Sequence, residues 1–192
     1  MELQGFPSRV AAFPFVRLLD FAARGHAHSL TDEELKAACQ HVGPTLQALD
    51  ISGAFLLSAA GLQAALGRCT ALRRLECSHA TATVQGLASL PCLGQLESLT
   101  LRGCMFLSEA LLSKLTGLTA LRSLDLAGCG LALHLNPPGA AALATLTQLT
   151  QLDLGSNGVD DNAMQLLAEL PALRQVGRRR LRGKRSCDGA LA

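Results

Sequence analysis

The nearest approach to metal-ligand spacing in this 192-residue chain is Cys39-Gln40-His41, a thiol and an imidazole two positions apart. A structural cation site would need a second such pair in register, and none follows. The other histidines are His26 and His28 in a turn, His79 after a strand and His134 in a proline-rich loop. Acyl or phosphoryl transfer needs a nucleophile, a base and an oxyanion donor that converge in a pocket, and the sequence offers no such set. The glycines of Gly103-Cys104 and Gly128-Cys129-Gly130 fall at turns, not in a phosphate-cradling loop. The reading is therefore a non-enzymatic protein with no catalytic residues, no cofactor and no metal. The polar groups that do recur are of another kind. Cys104, Cys129 and Asn157 occupy one register, a row of carboxylates occupies a second, and a basic run, Arg178–Arg185, stands near the end.

Those registers are set by a repeat whose clearest copy is Leu121–Leu131, LRSLDLAGCGL. Apolar side chains alternate with Ser123 and Asp125 and a Gly-Cys-Gly turn closes the segment, which is the pattern of a strand with one face in a core. Leu96, Leu99, Leu101 and Cys104 repeat it, as do Leu149, Leu152, Leu154 and Asn157. Fainter copies are Leu72, Leu75, Cys77, Ala80 and Leu46, Leu49, Ile51, Ala54. The first leucines stand at 46, 72, 96, 121, 149 and 173, so the steps are 26, 24, 25, 28 and 24 residues. A step of that size on L-x-x-L-x-L-x-x-[N/C]-x-L resembles the leucine-rich repeat family. The resemblance implies an α/β fold: a right-handed leucine-rich repeat solenoid, or horseshoe. Its concave side would be a parallel sheet of about six to seven short strands, with short helices on the convex side.

One repeat buries about five aliphatic side chains at ~2 kcal/mol each. Ordering its residues costs ~1–2 kcal/mol apiece in backbone entropy. No repeat stands alone, so stacking must supply the difference. Where each strand ends, the chain turns and leaves buried backbone groups without partners. The Asn157 amide can satisfy them, and the thiols of Cys104 and Cys129 more weakly, so these three are expected to form a structural turn ladder.

In chain order, a leucine-rich repeat domain is expected over 1–177, with a degenerate first repeat over about 13–45 and clearer repeats over 46–176. The first repeat has a strand at about 16–21, and Arg24 stands where Asn or Cys belongs. Thr31 and Glu34 form a capping box for a helix through about His41, with Leu35 and Ala38 inward, ended by Gly43-Pro44. Further helices are expected at about Ala59–Leu66, Val84–Leu90, Ser108–Leu115, Ala140–Leu146 and Asp160–Leu170. Pro137 and Pro138 forbid helix between Leu131 and Gly139, which should protrude as a loop. Residues 178–192 read as a basic, disordered tail.

Strand alternation puts Asp20, Asp50, Glu76, Thr100, Asp125, Asp153 and Gly177 in one outward column. Five acids of seven on neighbouring strands, ~4.8 Å apart, repel one another unless something intervenes. One reading is an acidic groove for a basic partner; the other is that Asp merely keeps this face soluble. Arg73, Arg74, Arg102 and Arg122 flank the column and can pair with its acids. The candidate partner-binding residues are Asp50, Glu76, Arg74, Arg102, Asp125 and Asp153.

Composition agrees with this picture. The chain is 49% hydrophobic with six Phe, no Tyr and no Trp, which suits stacked aliphatic layers and suits aromatic recognition of bases poorly. Seven cysteines without paired spacing read as buried thiols in a reducing compartment. No 18-residue apolar run is present, and the N-terminus lacks a basic segment followed by an apolar stretch, so neither a membrane partner nor secretion is expected. Up to Leu173 there are 10 basic and 14 acidic residues; after it there are 7 basic and 1 acidic. The basic run is open to readings as a nuclear-import signal, a contact for nucleic acid or anionic membrane, or a solubilising end.

The Gly-Cys strand endings and short convex helices are most similar to the cysteine-containing, ribonuclease-inhibitor-like subtypes, as in F-box-type adaptors. That resemblance implies a protein partner held on the concave face, with ubiquitin-ligase components among the candidates. F-box helices are not seen in this sequence. The same architecture also serves cytoskeletal and axonemal scaffolds. A cytoplasmic protein is expected, with a nuclear route through the basic tail; nucleic acid is the least expected partner.

Overall fold

A computed structural model of the chain describes residues 16–24, 26–80, 94–104, 112–130, 142–157, 165, 167 and 170–177. Seven three-residue strands form one parallel sheet in sequence order. They are β1 (Leu18–Asp20), β2 (Ala48–Asp50), β3 (Arg74–Glu76), β4 (Ser98–Thr100), β5 (Ser123–Asp125), β6 (Gln151–Asp153) and β7 (Gln175–Gly177). Their central residues, Leu19, Leu49, Leu75, Leu99, Leu124, Leu152 and Val176, pair across the sheet in register. From Leu19 to Leu152 each is buried. The expected solenoid is what forms, because a three-residue strand gains its hydrogen bonds and its apolar contacts only from the repeats on either side.

The helices lie behind this layer. Helix α1 (Asp32–Val42) starts at the expected capping box: Glu34 N–H donates to Thr31 Oγ1 at 3.4 Å, and Thr31 N–H donates to Glu34 Oε2 at 3.0 Å. Leu35, Ala38, Cys39 and Val42 face the core, and a 3-10 turn, Gly43–Thr45, ends the helix at its glycine-proline pair. Helix α2 (Ala59–Leu66) has Ser58 as its N-cap. Asp32 of α1 also reaches this end, accepting from Ser58 N–H at 2.8 Å and from Ser58 Oγ at 2.6 Å. A carboxylate at a helix N-terminus is favoured by the dipole, so one repeat caps the helix of the next.

Other stretches depart from expectation. After Asp20 the first repeat makes two 3-10 turns, Ala22–Arg24 and His26–Ser29, and seats Ala27 and Leu30 in the core. The helix expected to end at Leu115 tightens instead to a 3-10 turn, Ser113–Gly117. The helix expected over Ala140–Leu146 is seen only at 142–144, where Thr145 Oγ1 donates to Ala142 O at 2.7 Å and the chain turns out. Residues 165 and 167 are helical. The helix expected at Val84–Leu90, the proline loop at 131–139 and the tail at 178–192 lie outside the described residues.

The turns that follow β2–β6 pass through the left-handed region three residues after the outward column. Gly53 (φ 78°), His79 (φ 59°), Gly103 (φ 69°), Gly128 (φ 67°) and Ser156 (φ 61°) share that position. Glycine adopts it without a Cβ clash, whereas other residues pay about 1–2 kcal/mol. At Gly103 an added Cβ would lie 2.3 Å from the His79 ring, while at Gly128 it would meet nothing within 4 Å. Gly128→Ala should therefore cost only the backbone strain, about 1 kcal/mol. Gly103→Ala should cost at least about 1 kcal/mol more, because the His79 ring must move. Urea denaturation of the two variants side by side checks the difference.

Candidate functional site

Strands β1–β6 bury their central residue, Val176 of β7 is half-buried, and each strand turns its other two residues to the concave side. The first row is Leu18, Ala48, Arg74, Ser98, Ser123, Gln151 and Gln175; the second is Asp20, Asp50, Glu76, Thr100, Asp125, Asp153 and Gly177. The structure thus brings Asp50, Glu76, Asp125 and Asp153 into one line, with Arg74 beside Glu76.

The aspartates have a local task that the sequence reading passed over. One carboxylate oxygen of each accepts a backbone N–H of the following turn: Ala23 on Asp20, Ser52 on Asp50, Ala127 on Asp125 and Gly155 on Asp153, at 2.8–2.9 Å. These are Asx-type closures of the strand-to-turn bend. A small residue two places after three of these aspartates was the available signal.

The second oxygen divides the row into two halves. Arg102 lies beyond it, with Nε 3.1 Å from Asp125 Oδ2 and Nη2 3.1 Å from Asp153 Oδ2. One guanidinium therefore serves both acids of β5 and β6. Arg73 pairs with Glu97 at the rim. Among the described residues no ion pair involves Asp20, Asp50 or Glu76. Burial and the Asp50 carboxylate push the Glu76 pKa above its ordinary value; Arg74 opposes this and Asp20 adds to it. Neutral Glu76 is thus favoured in the folded state, a contribution present at acid pH and lost as pH rises through the folded-state value. Glu76→Gln should stabilise the chain at neutral pH by no more than about 0.5 kcal/mol, since solvent screens the site. The gain should vanish where Glu76 is itself protonated, which urea titrations at neutral and acid pH will show.

On the other side of the sheet, Cys104 Sγ donates to Cys77 O at 3.2 Å, and Cys129 Sγ donates to Leu101 O at 3.0 Å. Asn157 Nδ2 donates to Leu126 O at 2.6 Å and to Leu154 O at 3.2 Å, while its Oδ1 accepts from Cys129 N–H at 2.8 Å. Cys39, Cys69, Cys77, Cys104 and Cys129 are free thiols, all buried. Burial pushes the Cys77 and Cys104 thiols up and raises Cys129 to about 11. The thiolate is the reactive form. Alkylation of these three at mildly alkaline pH should therefore track global unfolding, as site-resolved mass spectrometry across a urea series will test.

Among the described residues three large apolar side chains stand exposed: Leu18 in the first row, and Phe55 and Leu56 in the turn after β2. Phe55 stacks on His28, with ring centroids 5.2 Å apart. Among the described residues no group of three or more His, Cys, Asp or Glu could hold a metal ion. No helix among them is long and apolar enough to cross a membrane.

A family model described as Leucine Rich repeat matches residues 145–168. No curated protein sequence matches the chain. Solved structures do. A chain of the Rad7 and Elc1 complex in yeast is 24% identical, with a TM-score of 0.61 over 78% of this chain and 40% of its own length. The leucine-rich repeat-containing protein LegL7 from Legionella pneumophila is 22% identical, with a TM-score of 0.54 over 83% of this chain and 54% of its own. A chain of the TLR13-ssRNA13 complex is 21% identical, with a TM-score of 0.57 over 87% of this chain and 23% of its own. The chain spans about half the length of these proteins or less.

Proposed function

From a chain that is a leucine-rich repeat protein, we propose an adaptor without enzymatic activity that binds a protein partner on the concave face of residues 1–177. The observation that carries this reading is the division of the acidic row. Arg102 occupies Asp125 and Asp153, whereas the half spanning β1–β3 presents Asp20, Asp50 and Glu76 beside the exposed Leu18. Three carboxylates on adjacent strands repel one another, and a basic partner would relieve that repulsion. The favoured role is target recognition for a ubiquitin ligase, in the cytoplasm or, through the basic tail, the nucleus. Support for it comes from the similarity to F-box-type adaptors and from the related fold in the yeast Rad7 and Elc1 complex.

The second reading is a scaffold subunit of a larger cytoskeletal assembly. It draws on the sheet order, in which β1 and β7 each pair on one side only among the described residues. Affinity purification of the tagged full chain separates the two: a ligase core component supports the adaptor, a stoichiometric cytoskeletal complex the scaffold. Nucleic-acid binding through residues 178–192 ranks last. Deleting them should leave partner recovery intact; loss of all binding with a steep salt dependence would reverse that ranking.

A further inference from the structure

Three rows of side chains cross β1–β3, each residue one strand, ~4.8 Å, from the next. The rim row is Arg17, Gln47 and Arg73, with both arginines exposed. The middle row is Leu18, Ala48 and Arg74, and the last is Asp20, Asp50 and Glu76. From rim to last row is three residues of extended chain, ~10 Å, which is the width of an α-helix with its side chains, ~10–12 Å. Along the rows the match is with the helical turn. Two strand steps span ~9.6 Å and two helical turns ~10.8 Å. The same-side residues of an extended segment recur every ~6.7 Å, so by the third contact they would be out of step by ~4 Å.

We propose that β1–β3 seat an α-helix of a protein partner, laid across the strands. One flank of that helix carries Lys or Arg at i, i+3 or i+4, and i+7, facing Asp20, Asp50 and Glu76. Its apolar ridge rests on Leu18 and Ala48, and an acidic side chain on the far flank faces Arg17. The β5–β6 half does not serve, because Arg102 already fills the gap between its two acids. This assignment rests on the concave face being the docking face and adds the shape and charge pattern of what docks.

The test uses two fluorescent synthetic peptides of identical composition, each about 14 residues, or four helical turns. One is bridged into a helix with a Lys flank, a Leu ridge and a Glu flank. The other carries the same residues with Lys at every second position, suited to an extended strand. Anisotropy on the intact chain should show the helix binding at least about ten-fold more tightly than the extended peptide. The double variant Asp50→Asn, Glu76→Gln should lose at least about ten-fold of that affinity, corresponding to two surface ion pairs. Asn at 50 keeps the carbonyl that accepts Ser52 N–H, so the turn survives. Gln175→Lys, on the far strand, should leave helix affinity unchanged. Equal binding of both peptides, preference for the extended one, or indifference to the double variant would overturn the proposal. Binding that appears only when residues 178–192 are deleted would assign the face to the chain's own tail instead. If a concave cross-linker still captures a partner after any of these results, the helix assignment has failed and the docking face has not.

Discussion

Replacing Asn157 by Ala should lower the stability of the folded chain by about 3–5 kcal/mol, more than any surface substitution. The amide bridges three backbone groups from two successive turns: Leu126 O and Cys129 N–H after β5, and Leu154 O after β6. Removing it strands buried donors and acceptors that water does not reach, at ~1–3 kcal/mol each. Asn157 is itself 5% exposed, the only polar side chain among the buried described residues. The loss should centre on the junction of β5 and β6, since a stacked repeat transmits disturbance mainly to its neighbours. Hydrogen exchange at Cys129 N–H should accelerate first, with the urea midpoint falling in parallel. Cys129→Ala is the comparison. It removes a thiol that donates to Leu101 O, and a weak donor should cost only about 1 kcal/mol. Equal losses for the two variants would show that the amide is not the ladder's main support.

Leu124→Ala should cost about 3–4 kcal/mol, within the range for emptying a buried leucine site. Leu124 is 1% exposed and stands between Leu99 of β4 and Leu152 of β6, themselves as deeply buried. The cavity therefore opens into layers on both sides, and three-residue strands have little freedom to close it. Its neighbour Ser123 faces the concave side, and Ser123→Ala should stay within about 0.5 kcal/mol. Paired urea unfolding curves measure both. A small loss at Leu124 would mean that the layers are not shared between repeats.

The repeat was legible because it is written in one residue type at one interval. Leucines at 46, 72, 96, 121, 149 and 173 fix the layers, and the registers follow without ambiguity, since a one-residue slip would turn Asp125 inward. The capping box of Thr31 and Glu34 was equally plain, because all its parts lie within four positions. What escaped notice depends on distance across repeats. Arg102 reaches Asp125 and Asp153, 23 and 51 residues away; the sequence showed a flanking arginine but not which acids it would take. Asp32 reads locally as the first residue of α1, and only stacking places it at Ser58, 26 residues on. Arg24 marked the first repeat as irregular, yet nothing local foretold that Ala27 and Leu30 would fill the layer.

The account stands most directly on which side of the solenoid meets another protein. A photo-cross-linking amino acid placed at Ser98 or Ser123, in the middle of the concave rows, tests it against one at Gln63, exposed on α2 behind the leucine layer. Cross-linked partner from Ser98 and Ser123, weakened by Asp50→Asn with Glu76→Gln and absent from Gln63, is the predicted result. Cross-linking from Gln63 with none from the sheet would contradict it, and the acidic row would then be no more than turn closure and solubility.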